Sequence, residues 1–401
     1  MNQSYNFVGQ HLFGQILSLS AKYSLAQVIQ RHQSDRYYKQ LKTWDHYVAM
    51  MYAVMAGCTS LREIVLGLES FEGKLNHLNI DCAPARSTLS DGNKKRDATV
   101  FKGIYHHLYD RYKPFLSDST LPKHILENLF LMDSSVFQLF KEILKTSGRP
   151  ATDGRKKGGI KKNTVIHGAS LMPVLIQFSA AAMNDQQFYQ HLQLSRGSYI
   201  VFDKGYNNYM QFARFSEHGV FFVTRQKENA TYVSTQEFEP KPGTPDQVLK
   251  DEAIAVTYKD ETGKSQTLSL RRVAWWVENE NKVYEFITNN FELEAQTIAQ
   301  LYRYRWKIEL FFKKLKQNFP LEYFVGDNQN AIEIQIWCAL IALLLITVIH
   351  HQHKSKLAFS VMVSILRQHL FNYIAIKSLL DLANKTRSRK QQLLADLFGS
   401  A

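Results

Sequence analysis

The sequence predicts a mixed α/β protein of the α+β type, helical at both ends and rich in strands in the middle. Three observations carry this prediction. Apolar residues recur at helical spacing in the first 118 residues, as in HYVAMMYAVMAG. Between residues 119 and 225, short apolar runs rich in aromatic and β-branched residues alternate with helical patterns. From Ala331 onward the pattern is helical again. A chain of 401 residues is long enough for two or three domains.

The helical N-terminal region, residues 1–118, contains a pattern typical of DNA-binding helices. TSLREIVLGLESF and STLSDGNKKRDATVFKGIY indicate two helices joined by a turn and followed by another helix. Ser87 or Thr88 is placed to cap the second of these. Its basic residues face DNA phosphates or base edges if the pair is a helix-turn-helix; they are Lys94, Lys95 and Arg96. The alternative is an ordinary solvated helix, and Gly92 inside the element counts against the prediction.

Two aspartates each follow an apolar run in the strand-rich region, residues 119–225. The runs ENLFLMDSS and SYIVFDKGY predict buried strands that end at Asp133 and Asp203. Asp133 could alternatively be a turn residue beside Ser134 and Ser135. The order of elements is three strands, a helix, a strand, a helix and a strand, which is the order of the RNase H-like fold. Its adjacent strands bring the two aspartates together.

The segment LYRYRWKIELFFKKLKQNFP, residues 301–320, predicts one amphipathic helix. Tyr302, Arg305, Glu309 and Lys316 fall within about 60° of one another on one of its faces. An apolar stripe lies beside them and consists of Leu301, Ile308, Phe312, Leu315 and Phe319. A solvated basic face with a helical Arg305–Glu309 pair is the alternative. With the two aspartates, however, Glu309 suggests a shared divalent-metal site, because magnesium and manganese prefer oxygen ligands.

These motifs resemble those of a known family. The Tyr-x2-Arg-x3-Glu-x6-Lys spacing resembles the signature of bacterial insertion-sequence transposases of the DDE type, in the group called insertion-sequence family four. Asp203-Lys204-Gly205-Tyr206 resembles that family's Asp-Arg-Gly-Tyr motif, with Lys in place of Arg. Met132-Asp133-Ser134 and Thr288-Asn289-Asn290 lie where its first-aspartate strand and the strand before the Glu helix belong. The resemblance covers residues 119–350 and continues more weakly into the first 118.

The resemblance implies a cut-and-paste DNA transposase that cleaves element ends and transfers them to target DNA. Asp133, Asp203 and Glu309 would be catalytic and would hold two Mg²⁺ ions, for which Mn²⁺ can substitute, with Asp133 bridging both. Tyr302, Arg305 and Lys316 would hold phosphates beside the scissile bond or a displaced base. The alternatives are an RNase H-like nuclease without strand transfer and a catalytically silent DNA-binding repressor of transposition.

Residues 226–280 account for the long interval between Asp203 and Glu309. They alternate turn-rich stretches with strand-like runs and predict a β insertion, which the resembling transposases also have. Relatives with this insertion cut the second strand through a DNA hairpin, and a base taken out of the stack needs an aromatic platform. Tyr284 aligns best with that platform, with Trp275 and Trp276 as alternatives. Packing within a strand would explain all three residues as well.

Composition agrees with a DNA-binding protein. A net charge of +13 and a pI of 9.4 favour a polyanionic partner. The basic loop could track a DNA backbone, or be merely a flexible solvated loop; its basic residues are Arg155, Lys156, Lys157, Lys161 and Lys162. The three cysteines lie far apart, so we expect neither a disulfide framework nor a zinc knuckle. The 14-residue apolar run Ile336–Ile349 is short for a membrane span and predicts a buried helix.

We therefore expect a cytoplasmic protein, associated with the bacterial nucleoid and not with a membrane, because no signal peptide is apparent. Its partners would be double-stranded DNA, at element ends and target, and a second copy of the chain in a synaptic homodimer. The expected organisation follows the chain: 1–118 helical and DNA-binding, 119–225 first part of the catalytic core, 226–280 β insertion, 281–350 second part of the core with the Glu helix, and 351–401 a helical C-terminal region.

Overall fold

The computed structural model describes residues 9–116, 121–138, 148–149, 157–180, 188–189, 191–240, 242–319, 321 and 323–385. For residues 134–138, 148–149, 157–162 and 179–180 it describes the backbone alone. Residues Arg155 and Lys156 of the basic loop lie outside this description, as do residues 185–187 and 190 of a helix expected over residues 185–194.

The chain divides into two compact units, one formed by Met1–Leu116 with Lys313–Ala401 and the other by Ser117–Phe312. The helices, in chain order, are α1 Leu12–Ser18, α2 Lys22–Arg31, α3 Thr43–Ala56, α4 Leu61–Glu69, α5 Arg86–Lys95, α6 Thr99–Tyr112, α7 Lys123–Leu126, α8 Tyr209–Glu217, α9 Ala295–Tyr304, α10 Trp306–Asn318, α11 Gln329–Gln352 and α12 Phe359–Gln368. The division joins the N-terminal helices to the C-terminal ones, which the sequence had suggested were separate regions.

Helix α11 is the core of the helical unit. Its residues from Ala331 to Ile349, apart from Glu333, are buried, and it packs against α3, α5, α6 and α12. Among the described residues it is the one unbroken helix with the length and hydropathy of a membrane span, with a mean hydropathy of 2.4, yet 94% of that stretch is buried inside the protein. The buried helix predicted over Ile336–Ile349 is thus confirmed, and it explains why the N-terminal helices and the C-terminal chain form one unit.

Helix α5 shows why a glycine lies inside a helix at this place. A Cβ atom added to Gly92 would lie 2.6 Å from the Leu41 side chain and 3.5 Å from the His46 ring. The close approach of the two segments therefore requires a residue without a side chain, and Gly92 does not prevent the helix. The predicted cap is wrong, because the N-cap residue is Ala85 and no side chain caps the helix.

The second unit is built on a ten-stranded sheet in the part of the chain that the structure describes. Its strands are β1 Leu129–Gln138, β2 Gly148–Arg149, β3 Lys157–His167, β4 Pro173–Ala180, β5 Tyr199–Phe202, β6 Phe221–Arg225, β7 Val233–Glu237, β8 Val248–Lys259, β9 Ser265–Val277 and β10 Lys282–Thr288. β4, β3 and β1 pair antiparallel, and β1, β5 and β6 pair parallel, with α8 between β5 and β6. This is the RNase H-like order, and it confirms the predicted fold class.

The strands of the predicted insertion continue the same sheet. β10 pairs antiparallel with β6, and β9, β8 and β7 follow it outward. Ion pairs with little solvent exposure join these strands: Arg271 contacts Asp251 at 2.6 Å, and Arg272 contacts Glu252 at 2.5 Å. Charged hydrogen bonds of this kind fix register as well as distance, so they hold β8 and β9 in register with each other.

Candidate active site

Asp133 and Asp203 occupy adjoining positions on neighbouring parallel strands. Met132 of β1 lies opposite Phe202 of β5, and each aspartate is the next residue. β5 ends before Asp203 as predicted, and the Asp203 carboxylate accepts a hydrogen bond from the Gly205 amide at 3.3 Å. β1 does not end at Asp133, however. Only its pairing with β5 ends there, since β1 continues to Gln138 along β3, so the expected strand end and the alternative turn are both wrong.

The Glu309 segment is not one continuous helix. α9 ends at Tyr304 and α10 begins at Trp306, with Arg305 between them. The amides of Arg305 and Ile308 donate to carbonyls three residues earlier, each at 3.0 Å, which tightens the chain at the break. The predicted single helix is therefore wrong at this point. The apolar stripe predicted beside it is buried, and this burial holds both helices in place.

The Arg305 guanidinium bridges two of the three predicted catalytic carboxylates. It contacts Asp133 at 3.3 Å and donates to Glu309 at 2.7 Å. Its side chain is 13% exposed, against 20% for Asp133 and 33% for Glu309. Burial alone would lower the pKa of Arg305, but Tyr302, Glu309 and Asp133 together raise it above its ordinary value. Arg305 is thus a permanent positive charge among the carboxylates.

Asp203 is held by Tyr302 and by an arginine that sequence reasoning missed. The Tyr302 hydroxyl donates to Asp203 at 3.2 Å, and Arg225 lies 3.6 Å from the same oxygen. Burial raises the pKa of Tyr302 to about 12, so this hydroxyl stays protonated as a donor. Arg225 ends β6, after the apolar run VFFVT. A polar residue ending an apolar strand is the same pattern that revealed Asp203, and it could have revealed Arg225.

Tyr284 belongs to an aromatic and cationic cluster beside Asp203. Arg225 lies over the rings of both Tyr284 and Tyr302, with distances of 5.2 and 5.7 Å to their centroids. The Phe286 ring lies 5.0 Å from that of Tyr302. Trp275, the first alternative, is directly opposite Tyr284 in β9, whereas Trp276 is opposite Val283. The structure therefore brings Tyr284, half-buried, next to the arginine that contacts the second aspartate.

The donor chemistry of this cluster suits a hard divalent cation. Asp133, Asp203 and Glu309 offer only carboxylate oxygens, the ligands that Mg²⁺ and Mn²⁺ prefer. Within the part of the chain that the structure describes, no three acidic, histidine or cysteine side chains are close enough together to hold a metal ion. At these carboxylates the compensating charge comes from Arg305 and Arg225. The ligand types fit a metal, and the guanidinium of Arg305 would have to move for Asp133 and Glu309 to share one.

The predicted DNA-binding residues of the helical unit differ in exposure. Lys94 and Lys95 are exposed, and Lys95 pairs with Asp91 at 3.1 Å. Arg96 is 1% exposed and donates to the Leu41 carbonyl at 2.7 Å, so a DNA contact by Arg96 is wrong and its role is to hold this unit together.

Three further residues were predicted to contact DNA: Lys316, Lys161 and Lys162. Lys316 is exposed, two turns beyond Glu309 along α10, and belongs to the helical unit. Lys161 and Lys162 lie on β3, where the structure describes the backbone alone.

Fold and site together define the second unit as an RNase H-like domain with carboxylates at adjoining positions of its parallel strand pair. A family profile described as "Transposase DDE domain" matches residues 125–345, more than half of the chain. The chain belongs to this family, and the protein is a DNA transposase. A second profile, a domain of unknown function (DUF4372), matches residues 8–81.

Curated relatives agree with this assignment. The chain is 28% identical to putative transposase y4zB of Sinorhizobium fredii over 66% of its own length and 72% of that protein. It is 27% identical to the putative transposase for insertion sequence element IS4SA of Synechocystis, over 65% of this chain and 70% of the relative. A probable transposase for element IS5377 of Geobacillus stearothermophilus is 27% identical over 39% of this chain and 41% of its own length. Membership of insertion-sequence family four stays a prediction.

Among solved structures, the cryo-EM structure of the piggyBac transposase synaptic complex with hairpin DNA is similar at a TM-score of 0.42 and 10% identity, covering 97% of this chain and 83% of that one. A likeness of this size is too small to support an argument about fold or function.

Proposed function

We propose that this protein excises an insertion sequence by cut-and-paste transposition, with Asp133, Asp203 and Glu309 as its catalytic carboxylates. The observation that supports this most is the Arg305 bridge. It brings Glu309, 176 positions along the chain from Asp133, to the same guanidinium as Asp133, and the sheet register brings Asp203 beside Asp133. Asp133 thus shares a guanidinium with Glu309 and is the register neighbour of Asp203, in a chain of the transposase DDE family.

The chemistry expected there is phosphoryl transfer without a covalent protein intermediate. When bound, two divalent ions, Mg²⁺ or Mn²⁺, would activate water or a 3′-hydroxyl and balance charge at the scissile phosphate. The three carboxylates would supply the oxygen ligands, and Asp133 would contribute to both ions, since it neighbours Asp203 in register and shares the Arg305 guanidinium with Glu309. Once a DNA phosphate enters, Arg305 has an alternative anionic partner and can turn from the carboxylates to the strand. Tyr302 and Lys316 are proposed to bind neighbouring phosphates.

The second-strand cut is proposed to proceed through a DNA hairpin, with Tyr284 as the platform for the displaced base. Arg225 lies over the Tyr284 ring and close to Asp203. A base stacked on this tyrosine would therefore lie near the Arg225 guanidinium and near the second catalytic aspartate. Base–aromatic stacking contributes about 1–3 kcal/mol per base, enough to offset part of the cost of unstacking.

The partners proposed are double-stranded DNA, at element ends and at the target, and a second copy of the chain in the synaptic complex. Lys94 and Lys95, exposed on α5, are proposed to contact end DNA, as are Lys161 and Lys162. The reaction would then take place in the cytoplasm at the bacterial nucleoid, where this DNA lies.

The proposal is tested with an oligonucleotide duplex that carries the terminal inverted repeat and with a supercoiled target. The parent protein should nick the end, form a hairpin and join the end to the target. Asp133→Asn, Asp203→Asn and Glu309→Gln should each abolish nicking and keep end-DNA binding within about 3-fold, since no phosphate contact is removed. Glu292→Gln, an equal charge change at an exposed position of the same unit, is the control. If the protein nicks the end DNA but does not join it to the target, the activity is that of a nuclease without strand transfer.

A further inference from the structure

A second polar site lies in the helical unit. A cavity of about 450 Å³ opens between the start of α4, the start of α5 and the segment before α11. Its polar lining consists chiefly of two arginines and several hydroxyl groups, and the residues that matter here are Ser60, Arg62, Arg86, Ser87 and Ser90. None of the roles proposed above uses these side chains.

The two arginines of this cavity are available to a ligand. Arg62 is in the first turn of α4 and Arg86 begins α5, and both are exposed. In the described part of the chain neither has an ion-pair or hydrogen-bond partner, in contrast to Arg96 and Arg305, which are held by the protein itself. Two guanidinium groups that line one cavity repel each other, and an anion bound between them would relieve this repulsion. The planar guanidinium group holds its N–H donors in a rigid arrangement that matches the oxygens of a phosphate.

The hydroxyl groups add donors at the same place. The Ser60 oxygen accepts a hydrogen bond from the Glu63 amide at 3.3 Å, so its proton is left to donate. The hydroxyl groups of Ser87 and Ser90 have no hydrogen-bond partner among the described residues. The nearby Glu63 carboxylate is turned to Thr59, whose amide and hydroxyl each donate to it at 2.8 Å, and these bonds lower the pKa of Glu63. The cavity is therefore lined by hydrogen-bond donors and by positively charged groups.

The same donors continue along α5 to a residue already proposed to contact DNA. Arg86, Ser90 and Lys94 are four residues apart in turn, so they form a row along the helix, beside the buried residues Leu89 and Asn93. A row of donors along a helix suits successive phosphates of one strand better than a single small anion. Hydroxyls and arginines are common partners of DNA phosphates.

We propose that this cavity binds the sugar-phosphate backbone of DNA, with Arg62 and Arg86 pairing a phosphate and Ser60, Ser87 and Ser90 donating to it. We call it the phosphate cradle. The inference rests on the proposed function because its ligand is DNA. It concerns residues other than the catalytic ones, however, and they bind DNA without taking part in strand cleavage. It also gives a role to Arg62, which lies in the stretch that matches a domain of unknown function.

The test is the salt dependence of DNA binding by the full chain in EDTA, measured by fluorescence anisotropy with end DNA between 50 and 200 mM salt. Each lost phosphate contact lowers the slope of log K against log salt by about 0.9. Because both arginines pair one phosphate, the parent should lose about 3- to 4-fold more affinity over this range than the double variant Arg62→Ala/Arg86→Ala. Arg62→Lys/Arg86→Lys should keep most of the slope. Arg31→Ala/Arg111→Ala removes the same charge from exposed positions of the unit outside the cavity and should keep the slope.

Two results would overturn the cradle. One is a slope for the double alanine variant equal to that of the parent or of the Arg31/Arg111 control. The other is saturation of the cavity by millimolar inorganic phosphate with no effect on DNA affinity, which would make the ligand a small anion. The two proposals fail separately. A parent that nicks ends while the double variant keeps its slope refutes the cradle alone, and a parent with the predicted slope but no nicking refutes the catalytic proposal alone.

Discussion

Replacing Arg305 with glutamine should tighten metal binding while impairing catalysis. In the structure its guanidinium contacts Asp133 at 3.3 Å and Glu309 at 2.7 Å, so an ion shared by these carboxylates must displace two charged hydrogen bonds. Such bonds contribute about 1.5–3 kcal/mol each when desolvated. The carboxylates are 20% and 33% exposed, so solvent screening reduces this. We expect about 1–2 kcal/mol in total, which is about 5- to 30-fold in affinity.

The assay is Mn²⁺ titration without DNA, by calorimetry or by the loss of the free-ion electron paramagnetic resonance signal. Arg305→Gln should bind Mn²⁺ more tightly than the parent by the factor given, and the difference should shrink when end DNA is present, because a phosphate then engages Arg305 in the parent. Arg303→Gln, the same charge change at an exposed position two residues away, is the matched control. Equal or weaker Mn²⁺ binding by Arg305→Gln, or an equal gain by Arg303→Gln, would refute the reasoning.

Three further outcomes are expected. Tyr284→Ala should nick end DNA at the parental rate but form hairpins more slowly from pre-nicked DNA, and Tyr284→Trp should restore them; equal hairpin yield on a denaturing gel would exclude stacking. Arg96→Ala should lower the free energy of unfolding by about 3 kcal/mol in urea titrations, because it breaks a buried network, whereas Lys94→Ala should leave it unchanged and weaken DNA binding instead. Burial holds the pKa of His46 at about 3, below the unfolded value of 6.5, so stability should fall as pH drops through this window, by up to about 1.4 kcal/mol per pH unit. His46→Gln should weaken the pH dependence of the free energy of unfolding. An unchanged pH dependence in this variant would show that His46 is not its cause.

Much of the catalytic unit could be predicted because its signals are local. The apolar runs before Asp133 and Asp203 are strand cores, and the stripe from Leu301 to Phe319 is buried as its periodicity indicated. Burial can be predicted from such patterns because the apolar residues of an element lie on the face that packs against the rest of the protein. The strand pairing that sets Met132 opposite Phe202 follows from the order of elements in this fold.

The features that were missed depend on contacts remote in sequence. Helical periodicity is almost unchanged by a one-residue break, so the interruption at Arg305 left no sign in the pattern. In the sequence Arg96 cannot be told from the other basic residues of its segment. Its burial depends on contacts with the chain before α3, such as its hydrogen bond to the Leu41 carbonyl. Arg225 follows an apolar strand as Asp203 does, but only the folded chain shows that it contacts Asp203. Contacts of α11 with the N-terminal helices likewise could not be inferred from either segment alone.

The most direct test of the central claim, that these carboxylates hold the catalytic metal, is metal rescue at Asp203. Asp203→Cys replaces a hard oxygen ligand by a thiolate, which binds Mg²⁺ poorly and accepts softer ions. Nicking of end DNA by this variant should be lost in Mg²⁺ and partly recovered in Mn²⁺, while Asp203→Ala stays inactive in both and the parent is active in both. Equal activity of the cysteine variant in Mg²⁺ and Mn²⁺, or recovery by the alanine variant, would show that Asp203 does not bind the metal.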